Sequence, residues 1–68
     1  MERQNLADLV AFLAVAEERS FTKAAVKLST SQSSVSHTVR RLEARLGVRL
    51  LARSTRSVVP TTAGDQLI

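Results

Sequence analysis

One stretch of the chain gathers side chains able to read nucleic-acid bases. At 100° per residue, Ser33, His37 and Arg40 share a helical face with the small Ala44, Ser36 and Arg41 flank it, and Gln32 stands at its start. Glutamine can pair bidentately with adenine, and arginine with guanine or a phosphate. A second group, Arg53-Ser54-Thr55-Arg56-Ser57, sets two cations among hydroxyls. Arginine is drawn into narrow minor grooves, where the negative potential is enhanced. Catalysis fits these residues poorly. Ser36 and His37 point about 100° apart on one helix, no acid is placed to orient the imidazole, and no glycine-rich loop offers oxyanion or phosphate donors. With no cysteine and one histidine, a metal site would depend on carboxylates, so no metal and no cofactor is expected.

These groups need elements to hold them. Val35, Val39, Leu42 and Leu46 fall within roughly 60° of one another and form the core stripe of a helix. Ser31 is its N-cap and Gly47 its left-handed terminator. Ser29-Thr30-Ser31 is a polar break. Before it, Phe21, Ala24, Ala25 and Leu28 mark a short helix begun by Ser20 or Thr22, with Lys23 and Lys27 one turn apart on its outer side. Asn5 caps a first helix running to about Arg19, and Asp8 favours the positive end of its dipole. Its apolar stripe is Leu6, Leu9, Val10, Leu13 and Ala16, widened by Phe12.

Downstream, Val48 to Ala52 and Ser57 to Pro60 are β-prone, and Arg53 to Arg56 suit a hairpin tip. Pro60 confines the second strand to an edge or ends it. Thr62 with Asp65 makes a capping-box-like start for a further helix. Two helices joined by a three-residue break, then a basic hairpin, predict a mainly α winged helix-turn-helix of three helices plus a short two-stranded β wing. Residues 1–60 hold this domain, with the helix-turn-helix at about 21–40 and the wing at about 48–60. Alone, the third-helix pattern also describes a solvated amphipathic helix, and the hairpin charges a protected sheet edge. The combination favours a groove-reading surface.

Charge placement points the same way. The 68 residues carry a net +4. Residues 1–18 hold Glu2, Asp8, Glu17 and Glu18 against Arg3, a net −3, whereas residues 19–57 hold nine cations against Glu43 alone, a net +8. Such a patch attracts polyanions. The length allows one domain. Two phenylalanines without Trp or Tyr argue against a stacking platform for single strands. The longest apolar run, Leu9 to Ala16, is far short of the roughly 20 residues of a membrane-spanning helix. Ala14-Val15-Ala16 imitates a signal-peptidase site, but Glu2 and Asp8 do not fit a cleaved leader. A cytoplasmic chain with no membrane partner is expected.

Ser20-Phe21-Thr22-Lys23-Ala24-Ala25, Leu28, Ser31-Gln32 and Val35-Ser36 resemble the DNA-binding domain of LysR-type transcriptional regulators. So do Arg41-Leu42-Glu43, Leu46-Gly47-Val48, Leu50-Leu51, Arg53 and Thr62-Ala63-Gly64, in register from about Leu6 to Ile68. The resemblance implies sequence-specific double-stranded DNA binding by a bacterial regulator, the third helix in the major groove and the wing in the minor groove. It implies base reading by Gln32, Ser33, Ser36, His37 and Arg56. Backbone contacts are expected from Thr22, Lys23, Ser31, Ser34, Arg40, Arg53 and Thr62. It further implies a longer parent protein that forms a homodimer through a linker helix, reads an inverted-repeat operator and binds a small-molecule effector in a separate domain. Residues 61–68 would be the start of that linker helix, truncated here. The chain departs from the family's usual proline at Ser33, arginine at His37 and glycine at Ser29. The competing class is a winged-helix protein-interaction module, or a truncated regulator acting by heterodimerisation. The cations kept on the third helix and wing favour DNA.

Overall fold

Serine hydroxyls start the two helices that matter most. In the computed structural model, which describes residues 3–53 and 57–68 with side chains from residue 6, α1 (Arg3–Glu18), α2 (Phe21–Lys27) and α3 (Gln32–Leu46) are followed by β1 (Leu51–Arg53), β2 (Val58–Pro60) and α4 (Thr62–Leu67). Ser20 Oγ accepts the Lys23 N–H and Ser31 Oγ accepts the Ser34 N–H, each at 3.1 Å. Both caps have extended backbone, as the rule for an N-cap requires. Gly47, at φ 71°, ends α3 and donates its N–H to Glu43 O at 2.8 Å. Arg19 and Ser29 take φ of 54° and 56° at the ends of α1 and α2. Ser29 thus holds a left-handed conformation at the turn position where the resembled family favours glycine.

The first helix departs from expectation in two ways. It begins at Arg3, so Asn5 lies inside it and Asp8 lies beyond its first turn. Its buried face is Asp8, Ala11, Phe12, Ala14, Val15 and Ala16, while Leu6 and Val10 stand 55% and 44% exposed. The face inward is therefore rotated by roughly 140° from the leucine-rich stripe. Small alanines let α2 and α3 approach closely, and Asp8 has partners on α3, so a hydrophobicity count chooses the wrong side. Leu9 and Leu13 pack only at the core margin.

The core joins Phe12 and Val15 of α1, Phe21, Ala24 and Ala25 of α2, Val35, Val39 and Leu42 of α3, and Leu50, Leu51 and Val58 of the wing. Leu46, expected in the α3 stripe, is 48% exposed because the helix runs past the core there. The wing is an antiparallel pair with Leu51 opposite Pro60, Ala52 opposite Val59 and Arg53 opposite Val58. Its first strand is shorter than the apolar run. Glu43 Oε2 accepts the N–H groups of Leu50 and Leu51 at 2.8 and 3.3 Å, and Leu50 O accepts the Thr61 N–H at 2.9 Å. Leu50 therefore bonds to α3 and to the α4 cap instead of a ladder.

The α4 cap is Thr61, not Thr62. Thr61 Oγ1 accepts the Gly64 N–H at 3.1 Å and donates to Arg49 O at 2.5 Å, leaving Thr62 as the first helical residue. Three helices around one core, with a two-stranded antiparallel wing, make this a winged helix-turn-helix.

Candidate nucleic-acid interface

The N-terminal turns of α3 project outward because Val35, Val39 and Leu42 turn the opposite face into the core. Gln32, Ser33, Ser36, His37 and Arg40 line one shallow polar depression. All but the half-buried Ser36 are exposed. Four of the five residues expected to read bases are thus brought together, with Arg40 beside them. The fifth, Arg56, lies outside the described residues, as do Ser54 and Thr55.

Side chains from other elements orient this face. Thr22 Oγ1 donates to Gln32 Oε1 at 3.3 Å, bridging α2 and α3. With the carbonyl oxygen turned toward α2, the amide NH2 of Gln32 is left to the open side. Arg53 reaches back from β1, its Nη2 donating to Ser36 Oγ at 2.9 Å. The same guanidinium stacks 4.2 Å above the centroid of the Phe21 ring, a cation–π contact. Neither link is suggested by local spacing, since the partners are 10 and 17 residues apart.

The remaining expected contacts are distributed unevenly. Lys23 is exposed on α2, the helix that carries Thr22. Ser31 and Ser34 lie at the start of α3, where Ser31 is the cap and the Ser34 carbonyl accepts from Thr38 Oγ1 at 2.9 Å. Thr62 opens α4, and among the described residues no hydrogen bond joins it to the α3 cluster.

Several cations counted in the basic patch are engaged by carboxylates. Lys27 Nζ is 2.7 Å from Glu17 Oε1 and 3.7 Å from Glu18 Oε2. The hydrogen bond raises the Lys27 pKa and lowers that of Glu17. Arg41 Nη2 is 2.7 Å from Asp8 Oδ1, and Arg45 Nη1 is 3.0 Å from Asp8 Oδ2, near enough for attraction but not aligned for a hydrogen bond. The Arg41 hydrogen bond holds the Asp8 carboxyl below its ordinary range, against the burial that would raise it. Arg41 therefore belongs to the α1 junction and not to the flank of the reading face. Arg49 lies 3.7 Å from Glu43. Among the described residues, no ion pair engages Lys23, Arg40 or Arg53. Two of the unpaired cations stand at the reading face, Arg40 beside Gln32, Ser36 and His37 and Arg53 bonded to Ser36.

Among the described residues no cluster of His, Asp and Glu could hold a metal ion, and no helix is long and apolar enough to cross a membrane.

Residues 6–65 match the model of the bacterial regulatory helix-turn-helix proteins of the lysR family. The chain is 63% identical over its whole length to the HTH-type transcriptional regulator PgrR of Escherichia coli K12, of which it covers 23%. Its backbone superposes on Corynebacterium glutamicum OxyR in its oxidized form with a TM-score of 0.90 and 48% identity, over 97% of this chain and 20% of that one. Against the crystal structure of the BenM DBD/benA site 1 DNA complex the TM-score is 0.86 at 45% identity, over 97% of this chain and 71% of that chain. The chain spans less than a quarter of the length of the curated regulator PgrR.

Proposed function

The chain belongs to the LysR family of bacterial regulatory helix-turn-helix proteins, and from that premise we propose that it binds double-stranded DNA in a sequence-specific manner. The observation that carries this reading is the outward face of α3. Gln32, Ser33, Ser36 and His37 stand on it without competing carboxylates, and Arg40 continues it. An α-helix presenting such residues from its first turns fits a major groove about 12 Å wide. A relative at 45% identity solved in complex with DNA supports DNA binding.

In this reading Gln32, Ser33, Ser36 and His37 meet base edges in the major groove, while Arg56 enters the minor groove beside the wing. Thr22, Lys23, Ser31, Ser34, Arg40, Arg53 and Thr62 contact the phosphate backbone. Residues 1–60 form the reading domain, and residues 61–68 begin a linker helix that pairs two subunits in the longer parent protein. Two such domains would meet an inverted repeat whose half-sites lie about one helical turn, or a multiple of it, apart. A small-molecule effector would act through a separate domain, in the bacterial cytoplasm where the nucleoid lies. The similar proteins include transcriptional regulators such as PgrR, which supports a regulatory and not a catalytic role.

Fluorescence anisotropy of a labelled random-sequence duplex, titrated with the chain at several salt concentrations, tests the reading. Binding that weakens linearly in log–log form as salt rises is expected from phosphate neutralisation. Absence of binding at the lowest salt, in a sample with native helical circular dichroism, would overturn it.

A further inference from the structure

We propose that Arg53 is a positioning residue that biases Ser36 toward donating its hydrogen bond to the base it faces, so that this step of the site disfavours cytosine. The inference rests on the duplex-binding reading above and names the chemistry of one contact within it.

A serine hydroxyl has one donor and two acceptor positions, and its proton rotates to suit its neighbours. Here the rotor is biased. Arg53 Nη2 donates to Ser36 Oγ at 2.9 Å, and a guanidinium has no acceptor with which to take the serine proton in return. Inside a helix the usual acceptor for such a proton is the carbonyl four residues back. Thr38 takes that option, donating to Ser34 O at 2.9 Å. Among the described residues no carbonyl accepts from Ser36. The Ser36 proton is therefore free for a partner outside the protein, and the charge-assisted bond behind it makes it a stronger donor.

The guanidinium is itself held. It lies 4.2 Å from the centroid of Phe21, a ring anchored in the core at 7% exposure. Stacked on α2, carried by β1 and bonded to α3, Arg53 couples the wing to the reading helix. Ser36 opens into the depression shared with Gln32, Ser33 and His37. On the major-groove edge, purine N7, guanine O6 and thymine O4 accept hydrogen bonds, whereas cytosine offers only its N4 donor. A Ser36 hydroxyl made the better donor and poorer acceptor by Arg53 is favoured by these three bases over cytosine, which can meet only its one remaining lone pair.

Selection from randomised duplex pools at low salt tests this with the 68-residue chain, Ser36→Ala, Arg53→Lys, Arg53→Met and the Ser36→Ala/Arg53→Met pair. Lysine keeps the charge but not the planar stack that aims Nη2, and methionine removes the donor. The parent should deplete cytosine at one step by roughly three- to tenfold, the worth of a single hydrogen bond. Ser36→Ala and Arg53→Met should each remove that depletion while preferences at other steps persist. The double variant should relax the step no further than Ser36→Ala, and Arg53→Lys should relax it while keeping the parent's salt slope. Circular dichroism on each variant verifies the fold. If Arg53→Lys and Arg53→Met weaken all sequences alike and leave the step unchanged, Arg53 is a plain phosphate cation and the inference falls alone. If the folded parent binds no duplex, the docking reading falls and the inference falls with it.

Discussion

Asp8 shows how one residue can matter to a surface it does not belong to. It is fully buried between α1 and α3, and taking a carboxylate out of water costs several kcal/mol unless it is matched. Arg41 at 2.7 Å and Arg45 at 3.0 Å provide the match, and both remain partly hydrated at 42% and 38% side-chain exposure. The carboxyl pKa is lowered in the folded state, chiefly by the Arg41 hydrogen bond. Its contribution to stability is therefore complete above the unfolded-state value of about 3.9 and is lost as pH falls through the lower folded value. Asp8→Asn should cost roughly 1–3 kcal/mol at neutral pH, since the amide leaves buried polar atoms poorly paired, and it should remove this part of the acid transition. Urea melts of parent and variant between neutral and strongly acidic pH would show it. Parallel curves at every pH would mean the pair is not what joins these helices. From the sequence, Asp8 reads as a helix-dipole residue, because its partner Arg41 lies 33 positions away and no local rule connects them.

At the scale of elements, what is legible is what is local. Ser31 capping α3, Gly47 ending it and the paired alanines of α2 all act within one or two turns, and each is found as the sequence predicts. The inward face of α1 is not legible, because it is chosen by what α2 and α3 bring to it. The α4 cap slips by one residue for the same reason, with Thr61 drawn to Arg49 O across the chain. The two glycines separate local from tertiary demands. Gly47 needs a positive φ, but a Cβ there would meet open space, whereas a Cβ on Gly64 would collide with the Leu50 carbonyl and touch Phe12. Gly47→Ala should therefore cost about 1 kcal/mol of backbone strain. Gly64→Ala must push α4 off the wing and should cost about 1–3 kcal/mol. Denaturant midpoints give the order, and hydrogen exchange should find the Gly64→Ala damage in α4 and the wing. The reverse order would show that α4 does not pack against Leu50 as described.

Over the whole molecule, composition overstates the field that a polyanion meets. Residues 19–57 carry nine cations, yet Lys27, Arg41, Arg45 and Arg49 each lie within 4 Å of a carboxylate. A net charge cannot anticipate this, because the acidic partners of the first three come from α1, the segment that reads as separate and negative. Folding thus spends the charge of α1 on Lys27, Arg41 and Arg45 and leaves Arg19, Lys23, Arg40 and Arg53 without an ion pair among the described residues, with Arg56 expected on the wing. If Lys23, Arg40 and Arg53 neutralise phosphates and Arg56 displaces counterions from the minor groove, while Arg19 stays off the duplex, the slope of log K against log salt should be about −3.6 per chain, at roughly −0.9 for each charge neutralised, not the value near −8 that nine cations would give. Lys23→Ala should reduce the slope by about 0.9, whereas Lys27→Ala should leave it unchanged, although both lysines lie on the same short helix. Anisotropy titrations over a range of salt measure all three values. Equal changes for the two lysines would show that the Glu17 and Glu18 pairs dissolve on DNA, so that duplex binding recruits the whole basic segment and not the subset that pairing leaves free.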